Sequence, residues 1–185
     1  LDFRGKEYYK DLHSEQYATV ENLAEYISEL PFIVAHTGIK HHSGQFHKPL
    51  RERWLEGDPV VAKAYEDITA LAREGKKALI NRRWEHLGYL MNENHRIQDS
   101  IADSGEQNNY MIRVARKNGA LGAKLAGAGG GGTIIALTLE PERTKEALLQ
   151  AGADCFVELS PDAPGVTVEY FDELRDLEVA VGSDE

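Results

Sequence analysis

Five of the six residues at positions 127–132 are glycine, and this stretch limits what the chain can fold into more than any other. An apolar segment, 120–125, precedes it and a β-branched segment, 133–138, follows it. This order predicts a strand, a glycine loop (residues 127–132) and a second strand. Because glycine lets other groups approach the backbone closely, we expect the loop to lie against a phosphate, a sugar or another loop. The alternative is a long, flexible hairpin turn.

Two well-known phosphate-binding patterns do not fit the glycine loop. Gly127, Gly129 and Gly132 have the spacing G-x-G-x-x-G. A dinucleotide-binding fingerprint, however, opens a helix, whereas a strand is predicted to follow here. A Walker A loop ends in Gly-Lys-Ser or Gly-Lys-Thr, but Lys124 precedes the loop. The loop therefore belongs to neither class.

The length and composition indicate one globular domain, or one domain and a piece of another, with a net negative charge. The 185 residues carry a net charge of −10, and no basic stripe is present that could bind nucleic acid. Cys155 is the single cysteine, which excludes an intrachain disulfide and a zinc site built from cysteines. The sequence shows no apolar run long enough for a membrane helix and no signal peptide, so we expect a cytoplasmic protein without a membrane partner. Because the chain begins with Leu1, we expect it to be part of a longer protein.

A histidine-rich segment, 36–47, follows a predicted buried strand at 32–35. Polar loops after buried strands commonly bind ligands. His41 and His42 are adjacent and no carboxylate falls within the segment, so we predict no metal site there. Besides a metal-binding histidine loop, which this spacing disfavours, two interpretations stay open. The segment is either an exposed polar loop or a substrate loop in which Lys40 binds an anion and Ser43 offers a hydroxyl group.

Hydrophobic spacing and turn residues predict the remaining elements. Ser104 and Gln107 have the spacing of a capping box at the start of a predicted helix at 104–117. The predicted helices span 19–30, 45–56, 58–75, 77–101 with a break near Asn81, 104–117 and 140–150, and further strands span 155–159 and 166–171. This order indicates an α+β fold, with an antiparallel sheet and helices on one face.

Residues 124–132 resemble the third motif of the GHMP small-molecule kinases, which reads roughly K-L-T-G-A-G-G-G-G-C. The departures are Ala126 for the usual Thr and Thr133 for the usual Cys or Ser. This superfamily includes galactokinase, homoserine kinase, mevalonate kinase and the heptose-phosphate kinases. The resemblance covers roughly residues 20–171 and implies a ferredoxin-like α/β sandwich, the fold of the C-terminal domain in that family.

The resemblance also implies positions that contact the substrate. Residues 37–43 match a family segment in which a strand leads into a basic residue and small hydroxyl residues, with His41 and His42 as departures. Residues 91–95 match an M-N-x-x-H segment near the substrate, although a buried core histidine is the alternative for His95. The implied substrate-binding residues are Thr37, Gly38, Lys40, Ser43, Asn94, His95, Ser104 and Gly105, and the implied glycine loop comprises Gly127, Ala128, Gly129, Gly130, Gly131 and Gly132.

The function implied by the resemblance is phosphoryl transfer from ATP, with Mg²⁺, to a sugar or sugar phosphate. Residues 37–40 and 91–95 look most similar to kinases of the heptose 7-phosphate type. The other two family motifs and the catalytic Asp belong to an N-terminal domain whose motifs are not in this sequence. The glycine loop would then support the nucleotide loop of that domain and form a wall of the acceptor pocket.

This interpretation divides the chain into three parts: residues 1–18 as the tail of an upstream domain, 19–171 as the kinase C-terminal domain, and 172–185 as an acidic, disordered tail. We expect the fragment to be inactive alone, and its own N-terminal domain to be its partner. If that domain were missing, an exposed apolar face could drive homodimer formation. The alternative is a stand-alone ferredoxin-like module that binds a small ligand without catalysis.

Overall fold

The computed structural model describes residues 30–39, 43–127 and 129–160, together with residues 23, 26 and 27. The predicted strand at 166–171, most of the predicted helix at 19–30 and both predicted tails lie outside these residues. None of the helices that the structure describes is long and apolar enough to cross a membrane.

Within the described residues, the core of the fold is a four-stranded antiparallel sheet with the order β2-β3-β1-β4. The strands are β1 (Phe32–His36), β2 (Ala120–Ala126), β3 (Thr133–Thr138) and β4 (Cys155–Val157). In register, His36 lies opposite both Thr133 and Cys155, and Ala126 also lies opposite Thr133. The glycine loop, the chain after β1 and the chain before β4 therefore meet at one end of the sheet.

Five helices are described: α1 (Ser43–Leu55), α2 (Pro59–Ile80), α3 (Trp84–Ile101), α4 (Glu106–Lys117) and α5 (Pro141–Gln150). Asp58 caps α2, since its side chain accepts the Val60 N–H at 2.8 Å. The break predicted near Asn81 is confirmed, and Arg82 adopts a φ of 52° there. Residues 77–80 end α2 instead of beginning α3.

The antiparallel α+β fold is confirmed, but the prediction that the helices gather on one face is wrong. Ile134 and Ala136 of β3 pack in a cluster with residues of α4 and α5. Ile135 and Leu137 pack in a second cluster with residues of α2 and α3. Alternate residues of a strand point to opposite faces. The apolar run in β3 has no polar face, so both sides of this strand require a helical cover.

Helix α3 covers the free edge of β2. The backbones of Gly88 and Gly122 touch where the helix crosses the strand. One turn later, the Asn92 side chain donates to the Leu121 carbonyl at 3.2 Å and accepts the Ala123 N–H at 3.1 Å. The amide thus satisfies edge groups that would otherwise be open to another strand. This contact fixes the strand that leads into the glycine loop.

Candidate functional site

The five glycines of the glycine loop all have positive φ angles. These are 118° at Gly127, 102° at Gly129, 75° at Gly130, 148° at Gly131 and 83° at Gly132. Side chains with a Cβ rarely adopt this backbone region, because the Cβ crowds the neighbouring carbonyl. The conformation of the loop, and not only its flexibility, therefore accounts for its composition.

One side of the glycine loop is bound to the chain that follows β1. The Thr37 N–H donates to the Gly132 carbonyl at 2.8 Å, and the Gly132 N–H donates to the Ile39 carbonyl at 3.2 Å. A Cβ on Gly131 would lie 2.8 Å from Cγ2 of Ile39. Thr37 is buried, and its Oγ1 accepts the Ile39 N–H at 3.2 Å. The side chain and backbone of Thr37 thus shape the segment that holds the loop.

The other side of the glycine loop packs on the connection between α3 and α4. The Gly130 N–H donates to the Ser104 carbonyl at 3.1 Å. A Cβ on Gly129 would lie 2.5 Å from the Asp103 carbonyl oxygen, and one on Gly105 would lie 3.0 Å from Gly130. The loop is therefore held between two segments, as expected for a loop that lies against other groups.

The predicted capping box at the start of α4 is wrong. The N-cap residue is Gly105, with φ of 91°, and no side chain caps the helix. Ser104 is buried, and its Oγ has no hydrogen-bond partner in the described part of the chain. Gln107 donates to the Ala151 carbonyl at 2.8 Å instead of reaching back to Ser104. The N-cap residue packs closely against Gly130, which requires a glycine there. The N-cap is therefore Gly105, one residue after the predicted Ser104.

Asn108 joins the glycine loop to α4, and sequence reasoning missed it. Its side chain is fully buried, and Nδ2 donates to the Ser104 carbonyl at 2.7 Å and to the Gly131 carbonyl at 2.8 Å. A signal was present in the sequence. Asn108 lies three, four and seven positions before Met111, Ile112 and Ala115, on the apolar face of the helix. A buried amide on such a face must have hydrogen-bond partners.

We expect Asn108→Asp to destabilise the fold by about 2 kcal/mol, because it replaces the amide donor by an oxygen that faces two carbonyl oxygens. Denaturant unfolding of the full-length protein measures this change. The control is Asn81→Asp, since the Asn81 amide also donates to a helix carbonyl, at 2.7 Å, but is exposed. The control should change the free energy of unfolding by less than about 1 kcal/mol. Equal effects would contradict the role of Asn108.

His95 is buried and belongs to a hydrogen-bond network that reaches the surface at Asp99. Its Nε2 lies 2.9 Å from Oδ1 of Asn109, while Nδ2 of Asn109 donates to Asp99 at 3.0 Å. Because Oδ1 of Asn109 is thus the acceptor, Nε2 carries the ring proton, and Nδ1 has no partner among the described residues. Burial lowers the pKa of His95, and the bond to Asn109 opposes this only in part. These observations favour the interpretation of His95 as a neutral core histidine.

A cleft of about 480 Å³ opens beside the glycine loop at the start of α4. Of the described residues that line it, Arg113 is cationic and Glu106 is anionic. The N–H groups at the start of a helix add partial positive charge. The lining residues are Ile39, Gly105, Glu106, Gln107, Tyr110, Arg113, Gly130 and Gly131.

The structure brings some of the sequence-predicted site residues together at this cleft. Gly105, Gly130 and Gly131 line it, and Thr37, Ser104 and Gly132 hold the loop beside it through backbone hydrogen bonds. Asn94, half-buried on α3, and His95 do not line the cleft. Lys40 and Ala128 lie outside the described residues, and Ser43 begins α1 with its side chain outside them.

The glycine loop lies in a segment of the chain that matches a known protein family. Residues 76–157 match the family model of the GHMP kinases C terminal. The chain contains a GHMP kinase C-terminal domain. The matched residues of this GHMP domain include α3, α4, β2, β3, the glycine loop and Asn108.

Two curated relatives support this assignment. The chain is 32% identical over 120 residues to mevalonate kinase of Pyrococcus furiosus, an alignment that covers 62% of this chain and 36% of that protein. It is 40% identical over 91 residues to probable glucuronokinase 2 of Arabidopsis thaliana, which covers 48% of this chain and 25% of that protein. The GHMP domain described here thus spans well under half the length of these relatives.

A solved structure agrees with the fold. L. major mevalonate kinase, determined in complex with R-mevalonate, superposes with a TM-score of 0.59 at 26% identity. The superposition covers 68% of this chain and 40% of that protein. The predicted membership of the GHMP superfamily and the α+β fold are confirmed.

Proposed function

We propose that the protein containing this chain is an ATP-dependent kinase that phosphorylates a hydroxyl group of a small, anionic acceptor. The bond between the γ-phosphorus and ADP breaks, and a new bond forms to the acceptor oxygen, which releases its proton. Such transfer depends on positioning and charge neutralisation rather than on covalent chemistry by the protein. The role of this chain is to form one wall of the acceptor pocket, and we expect the catalytic residues in the N-terminal half.

The observation that carries this proposal is the position of the glycine loop. It is fixed by backbone hydrogen bonds on both sides, and Gly130 and Gly131 form part of the cleft wall. A wall of glycine backbone allows a ligand to approach N–H groups closely. The start of α4 adds helix N–H groups to the same cleft. This arrangement suits a ligand with negative charge and several oxygen atoms.

The charges in the cleft favour an acceptor that carries one anionic group. Arg113 lines the cleft and has no ion-pair partner among the described residues. A guanidinium at this position can bind a carboxylate or a phosphate. Glu106 can accept hydrogen bonds from acceptor hydroxyl groups. Three acceptors fit this description. The sequence resemblance favours a heptose 7-phosphate, and the names of the relatives point to mevalonate and glucuronate, which are both carboxylates.

Among the described residues, no group of three potential metal ligands suits the Mg²⁺ that ATP-dependent transfer requires. The group of potential metal ligands that they contain is His36, Asp154 and Cys155. Mg²⁺ prefers carboxylate, phosphate and water oxygens to imidazole and thiolate. We therefore assign no Mg²⁺ ligand to this chain.

The test is ADP release by the full-length protein with heptose 7-phosphate, glucuronate, mevalonate and uncharged galactose. We expect one of the three anionic acceptors to support turnover and galactose to fail. For that acceptor, Arg113→Gln should raise KM about tenfold, because a hydrogen-bonded charge pair is lost, and should leave the KM for ATP unchanged.

Arg96→Gln is the matched control, since Arg96 lies on α3 and pairs with Glu93 outside the cleft. It should leave both KM values unchanged. The proposal that the cleft binds an anionic acceptor would be wrong in either of two cases. One is that galactose is the preferred acceptor, and the other is that Arg113→Gln and Arg96→Gln have equal effects on KM. If the protein released no ADP with any of the acceptors, the kinase proposal would be wrong. The alternative, a module that binds a small ligand without catalysis, would then be favoured.

A further inference from the structure

Three potential metal ligands converge where β1 ends and β4 begins. His36 is the last residue of β1, Cys155 is the first residue of β4, and Asp154 precedes it. One ligand atom of each residue lies within 4.8 Å of the other two. In the sequence, His36 is part of a histidine-rich segment that lacks a carboxylate. The fold supplies both a carboxylate and a thiol from the other end of the chain.

The backbone fixes the relative positions of these three residues. His36 and Cys155 are direct partners across the β1–β4 ladder, so their side chains lie on the same face of the sheet. The Asp154 N–H donates to the His36 carbonyl at 2.8 Å. Gly38, with φ of 74°, turns the chain onto Asp154, and a Cβ on Gly38 would lie 3.2 Å from the Asp154 Cβ. The backbone of the sheet and the residue before β4 therefore hold this triad of ligands together.

We propose that His36, Asp154 and Cys155 bind a zinc ion. Imidazole, carboxylate and thiolate are the three common protein ligands of Zn²⁺, and the thiolate selects against Mg²⁺ and Ca²⁺. Three protein ligands leave one tetrahedral position for water or another ligand. Asp154 and Cys155 are exposed, so an ion can enter from solvent. The site is distinct from any Mg²⁺ of the proposed kinase reaction and stands independently of that reaction.

A metal at this site competes with a hydrogen bond of the chain itself. The Gly38 N–H donates to Nδ1 of His36 at 2.9 Å. Nδ1 therefore offers its lone pair, and Nε2 carries the proton of the neutral ring. A metal on Nδ1 takes that lone pair directly. A metal on Nε2 moves the ring proton to Nδ1. In both cases the Gly38 N–H loses its acceptor, so zinc binding loosens the segment that holds the glycine loop.

The test is a cobalt titration of the metal-free, reduced, full-length protein. Bound Co²⁺ with a thiolate ligand produces a strong near-ultraviolet charge-transfer band, which reports on Cys155. We expect one Co²⁺ per chain, displaced by Zn²⁺. Cys155→Ser should abolish the band, and His36→Gln and Asp154→Asn should each weaken Co²⁺ binding by at least about tenfold. Amide hydrogen exchange at Gly38 should become faster when Zn²⁺ is added.

Two control variants separate the triad from other histidines. His86→Gln on α3 should bind Co²⁺ like the wild type, because His86 pairs with Glu74 outside the triad. The double variant of His41 and His42 to glutamine should also bind normally. The proposal is wrong if the wild type shows no thiolate band, if the band persists in Cys155→Ser, or if the double variant abolishes it. Unchanged exchange at Gly38 would refute the competition with the hydrogen bond.

Discussion

Gly88→Ala is expected to destabilise the domain by about 3 kcal/mol, although alanine is the better helix former. A Cβ on Gly88 would lie 2.6 Å from the Leu121 carbonyl carbon and 2.7 Å from its oxygen. On the other side of the contact, a Cβ on Gly122 would lie 2.2 Å from the Gly88 carbonyl oxygen. The opposing atoms are backbone atoms of a helix and a strand, so they cannot rotate away. Moving α3 outward would also break both hydrogen bonds of Asn92 to β2.

Gly75→Ala in α2 is the matched control for this prediction. Both glycines lie inside helices, but the nearest atom to a Cβ on Gly75 is Cδ1 of Leu87, at an ordinary 3.7 Å. The control should gain about 0.5–1 kcal/mol from the lower entropy of alanine in the unfolded chain. Thermal unfolding of the full-length protein should then separate the two variants by about 10 °C. Equal midpoints would show that α3 and β2 are not in backbone contact.

The elements with strong local signals could be predicted from the sequence. Asp58 and Pro59 mark the start of α2, and Asn118 and Gly119 mark the end of α4, because capping and stop signals act within one helical turn. The glycine loop with its flanking strands was also predicted correctly. Its composition reflects backbone angles that side chains rarely adopt.

Features that depend on tertiary contacts could not be predicted in the same way. The sequence around Gly88 does not show that this glycine contacts the backbone of β2. The cap of α4 shifts from Ser104 to Gly105 because Gly130 packs there. Helices cover both faces of the sheet because the apolar run of β3 requires it, whereas a buried strand was predicted only at residues 32–35. In each case a distant segment decides the local outcome.

The candidate site also contains both residues that the sequence identified and residues that depend on tertiary contacts. The sequence identified the glycine loop, Thr37 and Gly105, which meet at one end of the sheet. It did not identify Asn108 or Arg113, whose importance depends on where α4 begins relative to the loop. Charge and amide groups on a helix become informative only when the neighbouring segments are known. The role of Arg113 in acceptor binding therefore stays a prediction, which the KM of Arg113→Gln tests.

The second large effect is expected at Gly129, and it concerns activity. A Cβ on Gly129 would lie 2.5 Å from the Asp103 carbonyl oxygen, and the φ of 102° disfavours any side chain. Gly129→Ala must therefore push the glycine loop away from the start of α4. Displacement by about 1 Å of a segment that positions a substrate can reduce the rate about 10²-fold. We expect kcat/KM for the acceptor to fall by about this factor in the full-length protein.

Gly57→Ala separates displacement of the loop from backbone strain alone. Gly57 has a similarly left-handed φ of 79°, but no atom lies within 4 Å of a Cβ placed on it. It lies between α1 and α2, so its strain of about 1–3 kcal/mol should lower the unfolding temperature without changing kcat/KM. If Gly129→Ala lowered the unfolding temperature to the same degree and also left kcat/KM unchanged, the loop would be a structural brace between residues 37–39 and α4. A selective loss of kcat/KM would instead mean that the position of the loop determines how the acceptor binds.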